Sequence, residues 1–87
     1  MNHFTTPDFW ELYNALPQEV RELADKNYGF LKSDPNHPSL HFKKIKYDVW
    51  SVGIGRQYRA LAFEHEEGYD WFWIGAHSEY DHILSKF

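Results

Sequence analysis

Apolar residues recur at helical spacing through the first third of the chain: Phe9, Trp10, Tyr13, Leu16, Val20, Leu23 and Ala24. Thr6-Pro7 is a helix start. The threonine can cap the first turn, and the proline occupies a position whose N–H would go unused. Pro17 interrupts the pattern, because a proline inside a helix removes a hydrogen bond and clashes with the preceding turn. The spacing therefore predicts one helix to about Ala15 and a second from about Pro17 to about Leu31. Two prolines, an Asp and an Asn make Ser33 to Ser39 a loop.

Beyond the loop the period changes to two. Leu40, Phe42, Ile45 and Tyr47 predict a first strand, with a bulge near Lys43-Lys44 where the alternation slips. Tyr47-Asp48 turns into a second strand in which Trp50, Val52 and Ile54 alternate with Ser51, Gly53 and Gly55. Gly55-Arg56 is a two-residue turn with glycine first, and a third strand runs from Gln57 to Glu64. Glu66-Glu67-Gly68 leads into a fourth, Tyr69 to Gly75, on which Trp71 and Trp73 should share a face with Gly75. That stripe reads as core rather than as a platform for stacking bases. Ser78-Glu-Tyr-Asp81 has the form of a capping box opening a last helix, with Ile83, Leu84 and Phe87 inward. Helices followed by hairpin-linked strands imply an α+β fold. The expected architecture is an N-terminal helical hairpin on a four-stranded antiparallel sheet, with a short C-terminal helix and one sheet face partly open.

Composition narrows the class. Eighty-seven residues make a single domain, 1–87, with a thin core. Seven Phe, six Tyr and four Trp offset that thinness, since each large ring buries about 150–250 Å². No cysteine is present, so neither a disulfide nor thiolate chemistry is available. No apolar run approaches the ~20 residues that span a bilayer, and the N-terminus lacks the basic and apolar regions of a signal peptide. These features imply a cytoplasmic protein without a membrane partner.

The net charge of −4 is unevenly spread. Residues 1–31 carry two cations against five carboxylates, and residues 60–87 one against six. Residues 32–59 reverse this, with Lys32, Lys43, Lys44, Lys46, Arg56 and Arg59 against Asp34 and Asp48. A basic middle suits a local anion site and excludes a surface that binds nucleic acid all over.

Within that region Arg59 shares a strand face with Leu61 and Phe63. It is either paired with an acidic residue such as Glu64 or Glu79, or it is a bidentate phosphate clamp. His77 and Tyr80 lie three apart where the last strand meets the last helix. They are either a proton-transfer pair or a helix-start hydrogen bonder beside a core ring. Lys43, Lys44 and Lys46, with Arg56 in the turn, are candidate phosphate contacts. His37 and His41 straddle a proline and lack a third ligand, so neither a metal site nor a cofactor is expected.

In order and spacing the chain resembles the RelE/ParE superfamily of bacterial toxins. The resemblance rests on Phe9-Trp10-x-x-Tyr13-x-x-Leu16-Pro17 and Val20-x-x-Leu23-Ala24, then Asp34-Pro-x-His-Pro-Ser-Leu40 before Phe42-Lys-Lys44. It continues through Trp50-Ser-Val52, Tyr58-Arg-Ala-Leu61 and Trp71-Phe-Trp-Ile-Gly-x-His77-x-x-Tyr80-Asp81. It implies the α+β fold and a type II toxin–antitoxin pair, with a cognate antitoxin forming a hetero-oligomer over the active face. RelE-like members cut mRNA on the ribosome through attack of the 2′-hydroxyl on the adjacent phosphate. ParE-like members bind DNA gyrase without catalysis.

For the cutting branch the resemblance assigns Arg59 to the phosphate, His77 to proton transfer and Tyr80 to base stacking or proton transfer. Lys43 or Lys44 would neutralise developing charge. Two departures stand out: Gly53 replaces an arginine common in similar sequences after Trp-Ser-Val, and the chain is acidic overall. An attenuated toxin that only binds its antitoxin is the corresponding alternative.

Overall fold

A computed structural model describes residues 2–86; the inward position expected of Phe87 lies outside them. The elements run β1 (Asn2–Thr5), α1 (Pro7–Asn14), α2 (Gln18–Ser33), a 3-10 turn (Pro38–Leu40), β2 (Lys43–Lys46), β3 (Val49–Ile54), β4 (Tyr58–His65), β5 (Gly68–Ala76) and α3 (His77–Leu84). The α+β class and the helical hairpin over a sheet are as expected. Thr6 caps α1, its hydroxyl accepting from the Phe9 N–H at 3.2 Å, and Pro17 separates the two helices.

The sheet has five strands rather than four, in the order β1-β5-β4-β3-β2. β1 pairs parallel to β5 and makes the sheet mixed. Gly68 admits it: at φ +151 a side chain there would be strained, and its Cβ would collide with the Asn2 carbonyl. Gly68→Ala should therefore release β1 alone. Hydrogen exchange of the β1–β5 amides should rise while the β3–β4 amides stay protected; unchanged protection would refute this account.

His3 is the second anchor of β1. Trp71 Nε1 donates to His3 Nδ1 at 3.1 Å, and the ring stacks on Tyr69 and Trp71 with the edge of Tyr28 against it. Burial, and then nearby positive charge including Lys32, lowers the His3 pKa below its ordinary value. A lowered histidine pKa means the unfolded chain binds the proton more readily. The His3 contribution is thus complete above about pH 6.5 and shrinks as pH falls below it. Urea unfolding from about pH 8 to about pH 5 should show an acid-side loss that His3→Gln lacks.

Two layers of core flank the sheet. Under α1 and α2 lie Val20, Leu31, Leu40, Val52, Ile54, Ala60, Ala62, Tyr69, Trp71 and Ile74. On the opposite face Val49, Leu61 and Trp73 hold Ile45, Phe72, Tyr80, Ile83 and Leu84. That second, smaller core docks α3.

Several expectations change in detail. β5 bulges between its pairings Ala62↔Trp71 and Leu61↔Trp73. The extra residue, Phe72, puts Trp71 and Trp73 on opposite faces rather than one. The β2 bulge expected near Lys43-Lys44 is present, with Ile45 as the extra residue between Lys44 and Lys46. The turn after β3 has three residues, with Gly55 at φ +65. No capping box opens α3. The helix begins at His77 after an extended Ala76, whose methyl group cannot cap it, and the His77 N–H is held by the Gln57 carbonyl at 2.6 Å. Among the described residues no helix is long and apolar enough to cross a membrane.

Candidate functional site

Arg59 sits mid-sheet on the face that α3 partly covers. Its lateral neighbours are both glycines, since Gly53 pairs with it on one side and Gly75 on the other. Neither directly paired position therefore puts a side chain of its own beside Arg59. Trp73 fills the Gly75 side, its indole standing where a Cβ would be. On the Gly53 side a Cβ would sit 3.3 Å from the Leu40 carbonyl and 3.9 Å from the His41 ring. The Gly53 peptide is itself fixed by buried Asn27, which donates to its carbonyl at 2.9 Å.

Neither carboxylate partner expected for Arg59 is used. Glu64 projects to the other face, where it accepts from Trp50 Nε1 at 2.7 Å and pairs with Lys44 at 3.7 Å. Among the described residues Glu79 makes no ion pair with the guanidinium. Instead Arg59 Nη1 donates to buried Ser51 Oγ at 2.9 Å, and its Nε is buried with no acceptor. An unsatisfied buried donor is rare and costly. Here it marks a cation held in place without a permanent anion.

α3 brings the other two residues to it. The guanidinium carbon lies 5.1 Å from the Tyr80 ring centroid, within cation–π range. His77 stacks on the same ring, with centroids 5.6 Å apart and planes 26° apart. Arg59, Tyr80 and His77 are thus one assembly, although no direct hydrogen bond links them. His77 is exposed and half-buried Tyr80 also packs on the second core, so its structural and site readings are compatible.

The basic residues divide by register. Lys43 pairs with Ser51, the residue that holds Arg59, and Lys46 pairs with Val49, so both lie on the α3 face. Lys44 pairs with Trp50 on the helical-hairpin face and engages Asp48 and Glu64. Arg56 lines a cleft of about 340 Å³ with Gln57, Tyr58, Ala76, His77 and Ser78. His41, weighed in sequence only as a metal ligand, borders Gly53 beside Arg59. Its left-handed φ of +45 is the local feature that turns it there, and no sequence pattern announces that conformation. No group of three or more metal-ligating side chains occurs among the described residues.

The fold is shared with solved toxins. It superposes on a chain of the RelB–RelE antitoxin–toxin complex of Methanococcus jannaschii at a TM-score of 0.72 and 15% identity, covering 92% of this chain and 98% of that one. The YoeB/ParE toxin from Agrobacterium tumefaciens gives 0.67 at 16% identity, covering 88% and 99%. The isolated RelE toxin of E. coli gives 0.62 at 13% identity, covering 97% and 95%. No curated protein sequence matches the chain. The family model described as the ParE-like toxin domain matches residues 18–82, from the start of α2 into α3, and the chain belongs to that family of toxins.

Proposed function

We propose that this toxin is an mRNA endonuclease that acts on the ribosome and is held inactive by a cognate antitoxin. The observation that carries the reading is the Arg59–Tyr80–His77 assembly, whose buried Nε lacks an acceptor. A phosphate would be held by the guanidinium's Nη N–H groups, of which Ser51 takes one. In the reaction the RNA 2′-oxygen attacks the adjacent phosphorus, the bond to the 5′-oxygen breaks, and a 2′,3′-cyclic phosphate and a 5′-hydroxyl result. Arg59 binds the non-bridging oxygens and stabilises their growing charge. His77 moves a proton between the reacting oxygens and solvent, and the Tyr80 ring orders both groups. Lys43 adds a second cation on the same face from β2, with β3 between it and Arg59. The antitoxin is inferred from the RelB–RelE pairs of similar fold.

The register makes a sharp prediction about the lysines. Lys43→Ala should lower cleavage by about tenfold or more, as loss of a charge-stabilising contact does. Lys44→Ala should leave cleavage unchanged and cost at most about 1 kcal/mol of stability, because its ion pairs are exposed. Equal effects of the two substitutions on cleavage would show that the basic strand acts only through general charge.

A second reading, a non-enzymatic toxin that holds DNA gyrase, is favoured by the ParE-like family match and by the Tyr80 ring lying over the guanidinium. The deciding experiment is brief induction in a bacterial host with mapping of new mRNA 5′ ends. Codon-phased cuts support the endonuclease. Growth arrest with intact mRNA and DNA damage supports gyrase. Growth without arrest identifies an attenuated toxin that retains only its antitoxin.

A further inference from the structure

A cavity of about 240 Å³ lies on the other side of the sheet, between β1, the helical hairpin and the strands. It is a cleft open to solvent along exposed Thr5, Trp10, Asp25 and Tyr28, and its floor is the apolar Leu31, Val52, Ile54 and Ile74. Its walls are the flat rings of Phe9, Trp10, Tyr13, Tyr28 and Trp71, and the Asp25 carboxylate stands among them. The rings are held rather than loose. Trp10 Nε1 donates to Thr5 Oγ1 at 2.8 Å, Tyr13 Oη donates to Asp25 Oδ1 at 2.7 Å, and Trp71 Nε1 donates to His3.

These bonds also define the occupant. The donors of Trp10, Tyr13 and Trp71 are spent within the protein, whereas a carboxylate has about four acceptor positions and Tyr13 takes one. A ligand that fits must be flat, largely apolar and no larger than a fused bicycle, and must bring its own N–H. An anionic ligand would be repelled by the Asp25 carboxylate and would lose hydration that this apolar lining does not return.

We propose that this cavity is a binding site for small neutral aromatic heterocycles that donate an N–H to Asp25. The site is independent of Arg59 and of the reaction on the opposite face.

The test is an amide NMR titration of the intact chain with indole and, separately, with N-methylindole. Expected are saturable shifts at Ala24, Tyr28 and Ile54, with N-methylindole about three- to tenfold weaker, the loss of one hydrogen bond. Ala24→Leu fills the cavity from α2 and should abolish binding. Asp25→Ala, at an exposed position, should reduce indole to the affinity of its N-methyl analogue. Absence of saturable shifts, or binding that survives Ala24→Leu, would overturn the site. Equal affinity of the two probes, or no effect of Asp25→Ala, would overturn the recognition chemistry.

Discussion

Arg59→Ala is expected to lower mRNA cleavage by at least about 100-fold, the usual cost of removing a group that stabilises charge in a transition state. It should do so while the protein stays folded. The substitution removes one hydrogen bond to Ser51 and a stack on Tyr80. It also removes a buried Nε that has no partner, so these contributions oppose one another. A residue retained for stability would show the reverse, lost stability with activity falling only in proportion. Arg59→Lys should not rescue cleavage. A lysine presents a point charge in place of a planar fork, and neither glycine beside it supplies a side chain to steer it. The check pairs 5′-end mapping with urea unfolding of the purified variants. Full toxicity in Arg59→Ala would remove the guanidinium from the site, and a collapse of the unfolding midpoint would make its role structural.

What the sequence made legible was what short range determines. Thr6-Pro7, Pro17, the Tyr47-Asp48 turn and the alternation from Trp50 to Ile54 each carry their own local signal, and the elements follow. Strand period places Arg59 on one face, but its grouping with His77 and Tyr80 comes from the resemblance to the toxin family, since local pattern leaves each of them a structural reading as well. The features that escaped depend on partners distant in sequence. β1 is four residues long and pairs with β5 from the far end of the chain, so its only trace was Gly68, which reads locally as a turn glycine. Trp71-Phe72-Trp73 is apolar at every position, so periodicity could not register the bulge that sends the two tryptophans to opposite faces. The capping-box pattern at Ser78 fails because the helix begins one residue earlier, at His77, where β5 hands the chain over while the Gln57 carbonyl holds the His77 N–H. Charge pattern points to a carboxylate partner for Arg59, whereas the serine on the adjacent strand that takes its hydrogen bond carries no such mark in the sequence.

The bulge gives Trp73 two duties, and Trp73→Ala should show both. The residue is 6% exposed. It forms the second core with Val49 and Leu61, on which Tyr80, Ile83 and Leu84 of α3 pack. Truncating a buried tryptophan costs about 3–5 kcal/mol, against a total of about 5–15 kcal/mol for a domain of this kind. The same change empties the space above Gly75, which lies beside Arg59. It also loosens the helix that carries His77 and Tyr80, so cleavage should fall at temperatures where the sheet remains folded. Trp73→Phe keeps most of the buried ring and should be much milder. Trp10→Ala provides the contrast: that ring is 47% exposed, with one hydrogen bond to Thr5 and edge contacts with Phe9 and Tyr13, so its loss should cost clearly less than that of Trp73. Unfolding midpoints of the three variants, with hydrogen exchange at α3, measure the effect. If Trp73→Ala destabilised the chain no more than Trp10→Ala, the small core would not be what holds α3 over Arg59.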